Sequence, residues 1–315
     1  MILDSKKIIN GVGIVIASTN RPEVLAETLV SISSRISVPE IVILSVVKYT
    51  DLPIGFESFP INLKIVCGNV SSSSTQRNLG VDVLPKSIEI VVFLDDDMEI
   101  HDLSIQEVKN IFARNSELVA FSGCVLANGN ISREAARVLL NEHIIPSGMP
   151  DYGILPNNWP GLYGCCMCIR RDLLITEPFD ENLPLYAIGE DTEIGFRLRK
   201  FGKVGGSARC PVVHLAVSSG RVSELGVGYA QVINFVYFAL KGIGFPVIKT
   251  LWERILLVPG KNLVCWILPF FDKNNTADRK GRFFGNLLAL RDIFLLRISP
   301  SRLTSHILKN TSVRL

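Results

Sequence analysis

The chain has 315 residues, enough for one large α/β domain and a smaller appendage. Hydrophobic residues make up 48%, charged residues 20%, and mean hydropathy is +0.32, so either the core is large or part of the surface meets lipid. A net charge of +3 is too mild to indicate a nucleic-acid partner, and no stretch gives the roughly 18 uninterrupted apolar residues of a membrane span.

Val12 to Ser18 is a β-branched apolar run that reads as a buried strand. Asn20 offers a helix cap with Glu23 three residues on. Leu25, Leu29 and Ile32 line one face of that helix. Ile41–Val47 and Leu63–Cys67 are the next strands, and serines 71 to 74 form a turn before a short helix. Ile88 to Leu94 is the fourth strand, with Asp95, Asp96 and Asp97 standing at its end. A helix near 103–115, a strand near 119–125 and a helix near 132–143 follow. Pro146 to Pro160 reads as a long loop. Tyr163–Arg171 resumes as a strand, with Arg170 and Arg171 facing phosphate or solvent, and Glu190–Phe201 is helical. Strands alternating with helices predict a doubly wound, mostly parallel sheet, whose ligands bind beyond the carboxyl ends of the strands. No G-x-G-x-x-G or Walker A pattern occurs, which argues against a dinucleotide enzyme or a P-loop NTPase.

The seven cysteines include a Cys165-Cys166-x-Cys168 group with poor zinc spacing. They read as buried free thiols suited to a reducing cytoplasm. Lys6 and Lys7 are not followed by the apolar stretch of a secretory signal, so a cytoplasmic location is expected.

Three adjacent carboxylates repel one another and need a cation. Carboxylates suit Mg²⁺ or Mn²⁺, which also take substrate phosphates. Strand alternation turns Asp95 and Asp97 one way and Asp96 the other. The bland alternative is a helix cap or a solvated turn. Glu190 and Asp191 follow Gly189 at a helix start, where they either cap free N–H groups or supply a general base. His214, after an apolar strand, is either a core residue or a completing ligand for a metal held by Asp97. Arg77 and Asn78 lie at the start of a short helix that either receives a phosphate on its backbone N–H groups or is simply a surface helix. Trp159 and Tyr163 either stack on a sugar or pack.

The order of these pieces resembles the family-2 inverting glycosyltransferases of the GT-A fold. The matching segments are VGIVIASTNRPEVLAETLVSI at the start, STQRNLGV at 74–81, VVFLDDDM at 91–98, GLYGCCMCIRRDLL at 161–174, FDENL at 179–183, GEDTEIGFRLRKFG at 189–202 and PVVHLAV at 211–217. The resemblance implies a nucleotide-sugar donor, a saccharide or lipid-linked acceptor, and a Mn²⁺ or Mg²⁺ cofactor. It places Thr19, Arg77, Asp95 and Asp96 on the nucleotide side, and Asp97 with His214 on the metal. Asp191 becomes the catalytic base and Glu190 an acceptor-side carboxylate. One departure stands out: where the family carries an acidic segment after the second strand, this chain has Val46, Val47 and Lys48, with Asp51 as the candidate substitute.

Residues 1–220 are therefore expected to form a GT-A-like catalytic domain, with its acceptor side from about 150, and 221–315 a helical extension. Gly226–Leu240, Leu251–Phe271 and Phe283–Ile298 are apolar segments with interspersed Arg and Lys. They are either helices packed on the catalytic domain or a peripheral surface for anionic lipid on the inner face of the membrane. The rival activities are nucleotidyl transfer and a non-catalytic scaffold. The sequence leaves oligomeric state open.

Overall fold

The computed structural model describes residues 9–146, 148–153, 161–217, 223–272 and 277–306; Trp159 and most of the expected loop before Pro160 lie outside them. The chain forms two compact units. The first comprises 1–71, 75–179 and 194–220, and the second comprises 72–74, 180–193 and 221–315. Beyond the sequence-based cut near 220, the second unit thus also takes up two short pieces from within the preceding chain, and one of them carries Glu190 and Asp191.

In the first unit the chain runs β1 (Val12–Ser18), α1 (Pro22–Ser33), β2 (Ile41–Val46), β3 (Leu63–Cys67), α2 (Ser73–Asp82), β4 (Ile90–Leu94) and β5 (Met98–Ile100). It continues through α3 (Ser104–Arg114), β6 (Leu118–Asn128), α4 (Arg133–Asn141), β7 (Cys166–Arg170), α5 (Arg171–Thr176), α6 (Glu190–Leu198) and β8 (Lys203–His214). Helices α2 and α6 begin on residues of the second unit. The eight strands form one sheet in the order β3-β2-β1-β4-β7-β6-β8-β5. Pairs β1–β2, β2–β3, β1–β4 and β6–β8 are parallel; β4–β7, β6–β7 and β5–β8 are antiparallel.

The central strands are apolar on both faces because helices cover both. Ile14, Ile16, Val92 and Leu94 enter one core, while Val15, Val91 and Phe93 enter the other. The N-cap of helix α1 lies one residue later than expected. Arg21 is its N-cap, without a side-chain cap bond, and Asn20 adopts φ +58°, donating its N–H to Asp51. Arg170 and Arg171 are half-buried. Their guanidiniums donate to backbone carbonyls, Arg170 to Leu118, Phe112 and Asn115 and Arg171 to Leu84. All seven cysteines are free; five are buried, Cys124 is half-buried, and Cys67 is exposed, contrary to expectation.

The second unit holds α7 (Glu224–Lys241), α8 (Val247–Trp252), α9 (Val258–Ile267) and α10 (Arg279–Phe294). The apolar stretch 251–271 is interrupted by a π turn at Glu253–Leu257. Pro259 follows in the first turn of α9, where it has no N–H to give, and Pro269 begins the 3-10 turn after α9. Helices α7 and α10 cross at Gly228 and Gly285. A Cβ on Gly228 would lie 2.0 Å from the Arg282 carbonyl, and one on Gly285 2.1 Å from that of Leu225. Between these helices Tyr229, Arg302 and His306 converge on fully buried Asp292. No helix among the described residues is long and apolar enough to cross a membrane.

Candidate metal centre

The register of two strand pairs builds this centre. β5 and β8 pair with Met98 opposite His214, which sets Asp97 beside the imidazole. On the other side of β8, Asn128 of β6 stands opposite the same histidine. The three aspartates then part. Asp95 and Asp97 turn toward His214, and one donor atom from each of the three lies within 4.8 Å of the others. The Nε2 of His214 is 3.1 Å from Asp97 Oδ1 and 4.0 Å from Asp95 Oδ2.

Asp96 turns away and is a strut. Ser18 Oγ donates to its Oδ2 at 2.6 Å, and Arg21 Nη1 donates to its Oδ1 at 2.5 Å. Burial pushes its carboxyl up to about 7, against the pull of Arg21 and Ser18. Arg21 Nη2 also reaches Asp97 Oδ2 at 3.0 Å, so one guanidinium spans both carboxylates. From α1, Thr28 Oγ1 donates to the Asp96 carbonyl and accepts from the Met98 N–H, fixing the backbone of the turn. Burial alone would raise Asp97, but His214 and Arg21 outweigh it and hold the carboxyl at about 2. At neutral pH Asp97 is therefore ionised.

The donor set, two carboxylates and one imidazole, is of a kind that would hold a divalent cation. Asp97 Oδ1 is buried yet makes no hydrogen bond of acceptable geometry, despite its closeness to His214. Its carboxylate, that of Asp95 and the imidazole of His214 converge on one point, as a shared cation requires.

Asn128 was not legible in the sequence. Its Nδ2 donates to the Tyr163 hydroxyl at 2.8 Å, leaving Oδ1 2.8 Å from His214 Nδ1. With the amide so oriented, Nδ1 donates to Asn128 and Nε2 is left facing the aspartates. Asn128→Ala is expected to weaken Mn²⁺ binding by about 10- to 100-fold. Calorimetric titration with the metal checks this, and unchanged affinity would remove Asn128 from the centre.

The nucleotide-side residues divide. Arg77, buried on α2, donates to Asp95 Oδ1 and the Gly164 carbonyl, both at 3.1 Å. It lies over the ring of Phe179, 5.6 Å from the centroid. Thr19 is bonded to Gln76 at 3.3 Å, and Gln76 Nε2 donates to the carbonyls of Ser18 and Ser45, tying the ends of β1 and β2. Asp51 does not offer a free acid in place of the missing segment. Both its oxygens accept backbone N–H groups, from Asn20, Val47 and Lys48, and it is buried.

Glu190 and Asp191 open α6 within the second unit. The backbone leading to them is left-handed at three alternate positions: Leu185 (φ +57°), Ala187 (φ +44°) and Gly189 (φ +88°). A Cβ on Gly189 would meet Phe238 at 3.0 Å and Phe235 at 3.1 Å, so only glycine is accommodated. Ser72 Oγ donates to the Leu183 carbonyl, the Ser73 N–H to that of Leu185, and Asn234 Nδ2 to that of Ile188. Glu190 is buried and accepts from Ser74 Oγ at 2.7 Å. Asp191 is only half-buried, and its Oδ1 accepts from the Thr192 N–H at 2.7 Å.

The eight-stranded sheet, with an acidic turn after its fourth strand, has the fold of GT-A-like glycosyltransferases. Among solved structures, the chain is similar to the mannosyltransferase PcManGT from Pyrobaculum calidifontis in complex with GDP-Man and Mn²⁺. Identity is 13%, the match covers 89% of this chain and 87% of that one, and the TM-score is 0.53. It is also similar to S. aureus TarS 1–349 in complex with UDP-GlcNAc, at 14% identity, 88% and 89% coverage and a TM-score of 0.49. At such identities the likeness is one of fold. No protein-family model matches the chain, and no curated protein matches it by sequence.

Proposed function

We propose that the protein is an inverting glycosyltransferase that moves a sugar from a nucleoside-diphosphate sugar to a hydroxyl of a saccharide or lipid-linked acceptor. The observation that carries this reading is the convergence of Asp95, Asp97 and His214. Support for the donor class comes from the fold and from the GDP-Man and Mn²⁺ held by the mannosyltransferase of similar fold.

Asp95, Asp97 and His214 would hold Mn²⁺ or Mg²⁺ together with the donor diphosphate. Bound there, the ion would supply positive charge against the negative charge that grows on the departing diphosphate. Arg21 and Arg77 keep the carboxylates in place. Asp191, in the first turn of α6, removes the proton from the acceptor hydroxyl. The hydroxyl oxygen then bonds to the anomeric carbon as the bond to the diphosphate oxygen breaks, and configuration inverts. Glu190 is assigned to hold the acceptor.

The test is thermal shift with nucleoside diphosphates, with and without Mn²⁺, followed by product analysis with the stabilising sugar nucleotide. Stabilisation is expected only when metal and nucleotide are both present, and Asp97→Ala is expected to remove it. Turnover should release nucleoside diphosphate; release of pyrophosphate would assign nucleotidyl transfer instead.

A further inference from the structure

The second unit has helices whose polarity is inside out. Helix α10 buries Gly285, Asn286, Ala289 and Asp292, while Phe284, Leu287 and Phe294 are exposed. Helix α9 buries Pro259, Asn262 and Cys265 and exposes Val264, Trp266 and Ile267. Helix α8 buries Thr250 and exposes Ile248 and Trp252. An ordinary surface helix does the reverse, since water penalises exposed apolar area. The outward residues also cluster. Phe284, Leu287 and Phe294 follow helical spacing along one stripe of α10, and the ring of Trp266 on α9 lies 5.9 Å from that of Phe284. Exposure reaches 86% at Ile248 and Phe294 and 87% at Leu296.

The charges beside this surface are mostly basic. Residues 247–297 contain nine Lys or Arg against four Asp or Glu. Of the four acids, Asp272 is paired with Arg279 and Asp292 is fully buried. Lys249, Lys261, Lys280 and Arg297 are exposed among the apolar residues. A symmetric contact with a second copy would set these cations against themselves. An anionic bilayer complements both features, taking the rings and aliphatic side chains at the head-group boundary and the cations at the phosphates. The helices are too short to cross, which leaves them lying in the interface.

We propose that α8, α9 and α10 form a docking surface for an anionic phospholipid bilayer, with Trp252, Trp266 and Phe294 entering the head-group region. The surface is independent of the transfer reaction, since no residue assigned to metal, donor or base takes part.

The test is flotation of the full chain with phosphatidylcholine vesicles, with and without phosphatidylglycerol, in the absence of any donor. The wild type is expected to float with the anionic vesicles, with a weaker response to neutral ones and at high salt. The triple variant Ile248→Glu/Phe294→Glu/Leu296→Glu alters only outward side chains and should keep its circular dichroism. Its partitioning is expected to fall roughly tenfold or more. Each of Lys249→Glu, Lys261→Glu and Lys280→Glu should lower anionic binding at least about fivefold. Brominated acyl chains should quench the tryptophans of bound wild type. Wild type that never floats overturns the proposal, as does a triple variant that floats equally well. So does a soluble dimer that the triple variant converts to monomer while neither form binds vesicles.

Discussion

Asp191→Asn is expected to lower kcat by roughly a hundred- to ten-thousandfold, the range for losing a positioned general base, with nucleotide affinity little changed. Asparagine is the informative substitution because Asp191 Oδ1 accepts the Thr192 N–H at 2.7 Å. The amide oxygen keeps that bond, so the start of α6 survives while basicity is lost. Glu190→Gln is the control. Ser74 Oγ can still donate to the amide oxygen at the position it now serves, and the variant should raise KM for the acceptor more than it lowers kcat. Both rates are read from release of nucleoside diphosphate under saturating donor. Wild-type turnover by Asp191→Asn would move the base elsewhere in the chain.

The second large effect concerns stability. Asp292→Ala should cost about 3–5 kcal/mol, the usual consequence of breaking a buried charge cluster from one side, against a total of roughly 5–15 kcal/mol for a folded domain. Tyr229 Oη donates to Asp292 at 3.0 Å and Arg302 Nε at 3.0 Å, while His306 Nε2 lies at 2.7 Å. Removing the carboxylate leaves the buried Tyr229 phenol, the Arg302 guanidinium and the His306 ring without their partner. Burial works to raise Asp292, but His306, Arg302 and Tyr229 outweigh it and hold the carboxyl far below its ordinary value. A depressed folded value means that this contribution is present above the unfolded pKa, near 3.9, and is lost as pH falls through the folded one. Urea unfolding at pH 7 and across the acid range measures both. The difference between wild type and Asp292→Asn should shrink below about pH 4; a difference that stays constant with pH would show that the charge is not what stabilises the cluster.

The convergence of Asp95, Asp97 and His214 was legible because each rests on a local pattern. Asp95 and Asp97 follow a buried strand, alternate residues share a face, and His214 ends another apolar strand. The residues that hold these side chains were not legible, because their partners are remote in sequence. Arg21 meets Asp96 75 positions away, and Asn128 meets His214 across 86. Nothing in S-T-N-R-P-E or in the end of β6 announces those pairings. β5 is three residues long and has no periodicity to read. The cap assigned to Asn20 failed because tertiary structure took its N–H for Asp51. The acidic segment sought near Val46 has no replacement in Asp51, whose oxygens close backbone. The boundary near 220 followed a change in composition, whereas the packing that joins 180–193 to the later helices depends on three-dimensional contacts.

That packing bears on how the protein can be divided. A fragment ending at residue 220 would keep the aspartate turn, β8 and every strand of the sheet. It would lack Asn234, which holds the Ile188 carbonyl, and the rings of Phe235 and Phe238 that close on Gly189. Leu185 and Ala187 hold left-handed conformations, which cost free energy and persist only while surrounding structure enforces them. Freed of that enforcement, the segment would relax and Asp191 would lose its fixed place. Such a truncation should therefore retain metal affinity yet catalyse poorly, and adding back 221–315 as a separate polypeptide is the complementation that would restore turnover.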